Sequence, residues 1–212
     1  MASPQTEVKR HPTVFRILHS MIMFSILFLA VTGFYIHSPF IGGGGFLMAL
    51  ARGVHFFLAF ILTVATILRI IWMFIGKNRD WRSFIPAWSD LKMLPRTIAF
   101  YTYISSKEPA LKKKYNPLQM ISYSFVLVLI VFQILSGFAL QYPDGAFSWF
   151  NYGLFNSEVA TRIAHFVATW LFVIFVMIHT YLAIRANFSE MKQMHLFSDD
   201  DKSSELSEGR SV

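Results

Sequence analysis

Four long, nearly charge-free apolar runs, at residues 17–36, 53–75, 118–140 and 159–184, constrain this chain more than anything else in it. An α-helix needs about 20 apolar residues to cross the ~30 Å hydrocarbon core of a bilayer, and each run supplies them. Helix is the form such a run must take there, because the bilayer core holds no water to satisfy open backbone N–H and C=O groups. The expected fold is therefore an all-α membrane protein, a bundle of four transmembrane helices. A composition that is 55% hydrophobic and only 15% charged excludes a soluble single domain. The first run exceeds the apolar region of an ordinary secretion signal and carries His19 near its start, so it reads as helix one, not a cleavable leader.

Lysine and arginine set the expected orientation. The connection at 77–117 carries Lys77, Arg79, Arg82, Lys92, Arg96, Lys107, Lys112, Lys113 and Lys114, whereas the other two connections hold only Arg52 and Arg162, both placed at helix starts. The long loop is therefore expected in the cytoplasm, with both termini. Positive-inside topology and anionic lipid account for the net charge of +7, and no nucleic acid is needed. Within that loop, residues 81–105 mix aromatics and charges and are interrupted by Pro86 and Pro95, which reads as short helices, broken at the prolines, at the membrane surface. Gly42 to Gly45 form a flexible stretch in the first external loop, without the lysine or preceding strand of a phosphate-binding loop. The chain divides into a four-helix membrane domain, 1–197, and a polar tail, 198–212, with Asp199, Asp200 and Asp201 in a row, expected to be disordered. No repeat of 20 to 50 residues is evident.

Of the seven histidines, three follow an arginine by three positions near the start of an apolar run: Arg16 and His19, Arg52 and His55, Arg162 and His165. His179 follows His165 by 14 positions, which at ~100° per residue is about 40° short of four turns. Those two imidazoles therefore share one helix face, ~21 Å apart along the axis. With alternating helix directions, His19 and His179 fall at the cytoplasmic level and His55 and His165 at the external one. Ionisable residues inside a bundle mark function, and a low-spin haem iron takes two strong axial ligands, a role neutral imidazole fills. Two haems follow from this sorting, an external one between His55 and His165 and a cytoplasmic one between His19 and His179. Arg16, Arg52 and Arg162, one turn nearer the surface on nearly the same face, can pair with haem propionates or anchor at the interface; Arg69, deeper, can meet a propionate of the cytoplasmic haem or act as a terminal anchor. His11, His37 and His195 lie at or beyond the ends of the runs and read as solvated. There is no cysteine, so disulfides, iron–sulfur clusters and covalently attached haem are absent from this chain.

These residues carry a family resemblance. The stretches RILHSMIMFSILFLAVTGFYIHSPF from Arg16, RGVHFFLAFILTVATILRIIWMFIG from Arg52 and RIAHFVATWLFVIFVMIHTYLAIR from Arg162 resemble the b-type cytochrome subunit of membrane-bound nickel–iron hydrogenases. The related gamma subunit of formate dehydrogenase shares the plan. The resemblance implies two haems b on His19, His55, His165 and His179, and electron transfer from a hydrogenase small iron–sulfur subunit, itself fed by the nickel–iron large subunit, to a membrane quinone, menaquinone or ubiquinone. It implies a multi-pass protein of the bacterial or archaeal cytoplasmic (inner) membrane, facing the periplasm with its partner. It also suggests a quinone pocket near the loop entering helix three, where Tyr115, Asn116 and Gln119 stand; Asn116 either hydrogen-bonds a quinone carbonyl or caps the helix. One departure is Ser20, where an aromatic often follows the first ligand. The gamma subunit of formate dehydrogenase, or another quinone-linked oxidoreductase anchor, is the alternative function. A haem-free transporter or scaffold is disfavoured, since no membrane-embedded Asp or Glu marks a substrate path.

Overall fold

The computed structural model describes residues 13–42, 45–75, 88–105 and 117–186. Among these residues five α-helices form: α1 (Thr13–His37), α2 (Phe46–Ile75), α3 (Trp88–Tyr101), α4 (Pro117–Gln141) and α5 (Glu158–Ala186), with a π-helical turn at Trp149–Leu154. Among the described residues, α1, α2, α4 and α5 are long and apolar enough to cross a membrane. The starts of α1 and α4 and the ends of α2 and α5 lie at one end of the bundle, the terminal end. The α1–α2 and α4–α5 connections lie at the other, the loop end.

Local chemistry sets the helix limits. Tyr35 Oη donates to the Ile41 carbonyl at 2.6 Å and folds the α1–α2 connection back on itself. Gly42 and Gly45 take φ of +52° and +69°, a left-handed backbone that glycine adopts without a Cβ penalty. α2 then begins at Phe46, about two turns before the expected Gly53, because Phe46–Ala51 (FLMALA) favours helix. Arg52 and His55 accordingly sit inside α2 and not at its start. Pro117 opens α4, where its missing N–H costs nothing. Ser157 Oγ accepts from the Ala160 N–H at 3.1 Å and caps α5, with Glu158 placing negative charge in its first turn.

Pro95 does not end a helix as its position suggested. α3 runs through it as one element, giving up only the bond its N–H would have made to the Leu91 carbonyl. Tyr181 Oη donates to the Tyr101 carbonyl at 3.1 Å, tying the end of α3 to the last turns of α5.

All four long helices meet in one apolar layer at mid-bundle. Leu62, Leu129, Ile130, Ala168 and Phe172 are buried there, with Ile22, Ile26 and Leu29 of α1 packed against them. Lipid is as apolar as leucine, so membrane helices associate through close van der Waals packing at small residues and not by excluding water. The buried set fits that rule: Ala65, Ala139, Ala168, Ser25 and Ser136 let backbones approach. Large side chains such as Val31, Val128 and Met177 are mostly exposed on the outer surface, where acyl chains would cover them.

Candidate functional site

Two histidine sites lie at opposite ends of the bundle. At the terminal end, His19 of α1 faces His179 of α5, ring centres 6.4 Å apart and planes at 45°. Phe15, one turn before His19, stacks on it, and Phe175, one turn before His179, stacks on that ring in turn. Arg69 of α2 lies over the Phe15 ring, 4.7 Å from its centre. Arg16 is buried, so it turns inward at this level instead of reaching out to an interface.

At the loop end, His55 of α2 and His165 of α5 stand at one level: the residue after each packs across the bundle, Phe56 against Phe138 of α4 and Phe166 against Phe34 of α1. Each ring is held by a hydroxyl of a neighbouring helix: Thr32 Oγ1 is 2.9 Å from His55 Nδ1, and Ser136 Oγ is 2.7 Å from His165 Nδ1. A glycine follows each hydroxyl residue and lies flush with the same ring. A Cβ at Gly33 would stand 3.4 Å from His55 Cε1, and one at Gly137 would stand 3.5 Å from His165 Cε1. Arg52 and Arg162 are exposed one turn nearer the end. His37 is exposed and stacks on Phe166 at 3.9 Å.

Sequence reasoning missed Thr32, Gly33, Ser136 and Gly137. The signal was present as a repeated triplet, Thr32-Gly33-Phe34 in α1 and Ser136-Gly137-Phe138 in α4. The helix pairs α1–α2 and α4–α5 are two copies of one plan. Arg52, His55 and Arg69 recur at identical spacing as Arg162, His165 and His179, so Arg69 occupies the place that a histidine takes in the second copy. Of the residues expected near a quinone, Tyr115 and Asn116 lie outside the described residues, and Gln119 lies in the first turn of α4. His11, His195, the tail at 198–212 and most of the basic loop also lie outside them.

A profile of the prokaryotic cytochrome b561 family matches residues 10–195. The chain belongs to that family. Similar proteins carry the name "Probable Ni/Fe-hydrogenase B-type cytochrome subunit". One, from Rhizobium leguminosarum bv. viciae, is 34% identical over 189 residues, covering 80% of this chain and 77% of the relative. Another, from Azotobacter vinelandii, is 30% identical over 200 residues, covering 85% and 82%. A "Probable Ni/Fe-hydrogenase 1 B-type cytochrome subunit" from Escherichia coli K12 is 27% identical over 187 residues, covering 80% and 79%.

Membership in the cytochrome b561 family makes this a multi-pass electron-transfer protein and implies b-type haem. The histidine geometry fits such a group. An imidazole nitrogen bonds a first-row metal at about 2.0–2.1 Å, so two rings across one metal have centres ~6.3 Å apart. His19 and His179 stand at 6.4 Å. Gly33 and Gly137 leave open, beside the loop-end rings, the volume that any other side chain would fill. Among the described residues no three His, Asp, Glu or Cys side chains gather as a cage for a bare ion.

Proposed function

We propose that this cytochrome b561 family member is the di-haem subunit through which a periplasm-facing nickel–iron hydrogenase delivers electrons to membrane quinone. His55 and His165 hold one haem b at the loop end; His19 and His179 hold a second at the terminal end. The observation that carries this reading is the two histidine pairs, His19 facing His179 at one end of the bundle and His55 level with His165 at the other, with α5 contributing a histidine to both ~21 Å apart.

A bound b haem supplies reversible one-electron transfer; the chain's own residues do the rest. When bound, one haem would be held by the imidazoles of His55 and His165 and the other by those of His19 and His179, the strong nitrogen ligands that a low-spin transfer site needs. Arg16 and Arg69 supply positive charge at the terminal-end site, and Arg52 and Arg162 supply it at the loop end, the charge that haem propionates need. Leu62, Leu129, Ile130, Ala168 and Phe172 fill the space between the two levels and keep water and ions out of it. The small-subunit partner belongs at the loop end, facing the periplasm. The terminal end, with its basic loop, faces the cytoplasm, and quinone reacts there beside Tyr115, Asn116 and Gln119. The relatives' printed names support a hydrogenase as the partner, and the positive-inside pattern supports the orientation.

Haem quantitation on the purified complex, as pyridine haemochrome, is expected to give two haems b per chain. His55→Ala and His165→Ala should each remove one spectral component, and His19→Ala and His179→Ala the other. A haem-free chain, or loss of the same component from His55→Ala and His179→Ala, overturns the reading.

A further inference from the structure

The hydroxyl contacts at the loop end determine which ring nitrogen of each histidine carries the proton. Thr32 Oγ1 has one hydrogen, and its helix takes it: the oxygen lies 2.8 Å from the Phe28 carbonyl and 3.2 Å from that of Leu29. Ser136 Oγ does the same with Phe132 at 2.8 Å and Gln133 at 3.2 Å. This back-bonding to the preceding turn is the ordinary state of a serine or threonine inside a helix. With its proton committed, each oxygen can only accept from the histidine beside it. The contacts at 2.9 Å and 2.7 Å therefore run from Nδ1–H of His55 and His165 to Oγ1 and Oγ. Both rings are left with an unprotonated Nε2, the atom a metal takes. Such an arrangement from one helix alone is unremarkable. Its recurrence in both copies of the helix pair, on the same hydroxyl–glycine–phenylalanine triplet, points to a shared task.

We propose that Thr32 and Ser136 are a matched pair of positioning residues, which lock His55 and His165 as Nδ1–H tautomers, aim Nε2 at the iron of the loop-end haem, and lower its reduction potential. The proposal rests on the bis-histidine reading above. The physical link is electronic. A ligand histidine that donates its other N–H to an oxygen becomes a more basic ligand, and a more basic pair of ligands favours the ferric over the ferrous state. Because the two hydroxyls act on two separate ligands of the same haem, their effects should add.

The test is potentiometric titration of the full complex, followed optically, on Thr32→Val, Ser136→Ala and the double variant, with Thr32→Ser and Ser136→Thr as hydroxyl-keeping controls. Each lost hydroxyl should move the loop-end ferric-to-ferrous ratio about threefold toward ferrous, ~30 mV at 59 mV per decade for one electron, and the double variant about ninefold. The terminal-end haem, identified as the component missing from His19→Ala, should keep its potential. Thr32→Ser and Ser136→Thr should match wild type. If Thr32→Val loses the haem while Thr32→Ser keeps it at the wild-type potential, the hydroxyl requirement is equally supported. Potentials unmoved in Thr32→Val and Ser136→Ala overturn the proposal, as do controls that shift as far as the hydroxyl-lacking variants or loss of haem in both Thr32 variants. If His55→Ala and His165→Ala fail to remove a common haem, the ligand reading itself falls. If they remove it and the hydroxyl variants change nothing, only the tuning role falls.

Discussion

Replacing Gly137 asks whether the space beside the loop-end rings belongs to a cofactor. A Cβ there would lie 3.5 Å from His165 Cε1, and the equivalent at Gly33 would lie 3.4 Å from His55 Cε1 and 3.9 Å from Nδ1. These are ordinary van der Waals contacts. Alanine therefore fits the polypeptide at either position and gains up to ~1 kcal/mol of intrinsic helix stability. Leucine at 137 adds three more carbons, which must displace the imidazole or occupy the space beside Cε1, the carbon bonded to Nε2. Overpacking of this kind costs about 1–3 kcal/mol, which is roughly a 5- to 150-fold loss in affinity for whatever fills that space. On the proposed di-haem reading, Gly137→Leu is thus expected to lower the haem content from two per chain toward one, while Gly137→Ala lowers it far less. The reduced-minus-oxidised spectrum should lose the component that His165→Ala loses and keep the other. Gly137→Leu and Gly33→Leu proteins that retain both haems with unchanged spectra would refute the idea that these glycines line the cofactor.

Two further outcomes follow from polar contacts that do not involve the histidine rings. Tyr152 Oη donates to Glu158 Oε1 at 2.6 Å, and this hydrogen bond, with the added charge of Glu158 and Asp144, raises the phenol above its usual value near 10. The folded state thus holds that proton more tightly than the unfolded one, so the contact's stabilisation is present below pH ~10 and fades as pH rises through the folded value. Ultraviolet titration should show one tyrosine ionising late in wild type and earlier in Glu158→Gln; identical curves would refute the assignment. Gln133 Nε2 donates to Thr169 Oγ1 at 3.0 Å, while its Oε1 is buried without a partner. Because Thr169 keeps its bond to the His165 carbonyl, Gln133→Leu should change stability by no more than ~1 kcal/mol, and a thermal-melt loss above ~2 kcal/mol would sink that account.

The spans were legible in the sequence because a membrane helix must satisfy its own backbone and show lipid an apolar surface, so length and hydropathy nearly suffice. The same economy hid what lies between them. α2 starts at Phe46 and not Gly53 because apolar residues continue the helix past any hydropathy boundary. Pro95 sits inside α3 because one missing N–H is tolerable at a surface where a freed carbonyl can find another donor. The histidines stood out because an imidazole in an apolar run is costly and therefore conspicuous. Thr32 and Ser136 did not: a serine or threonine bonded to its own helix is common in membrane segments, and only the facing histidine reveals a second role. Arg16 was ambiguous between interface and interior, and its burial places it inside.

α5 carries a histidine to each end of the bundle, and this makes the vertical separation of the two sites a matter of residue count. His165 and His179 are joined by a continuous helix, so packing adjustments among α1, α2 and α4 can shift their partners but cannot change the ~21 Å between them. The interval is also quantised. Inserting one residue would rotate one imidazole by ~100° out of the bundle, whereas inserting seven would return it to within ~20° of its face and lengthen the interval by ~10 Å. A helix built this way acts as a ruler whose graduations are whole turns. Lineages of such proteins could lengthen or shorten the interval between their two histidine levels only in steps that the helical repeat permits, whatever the thickness of the bilayer around them.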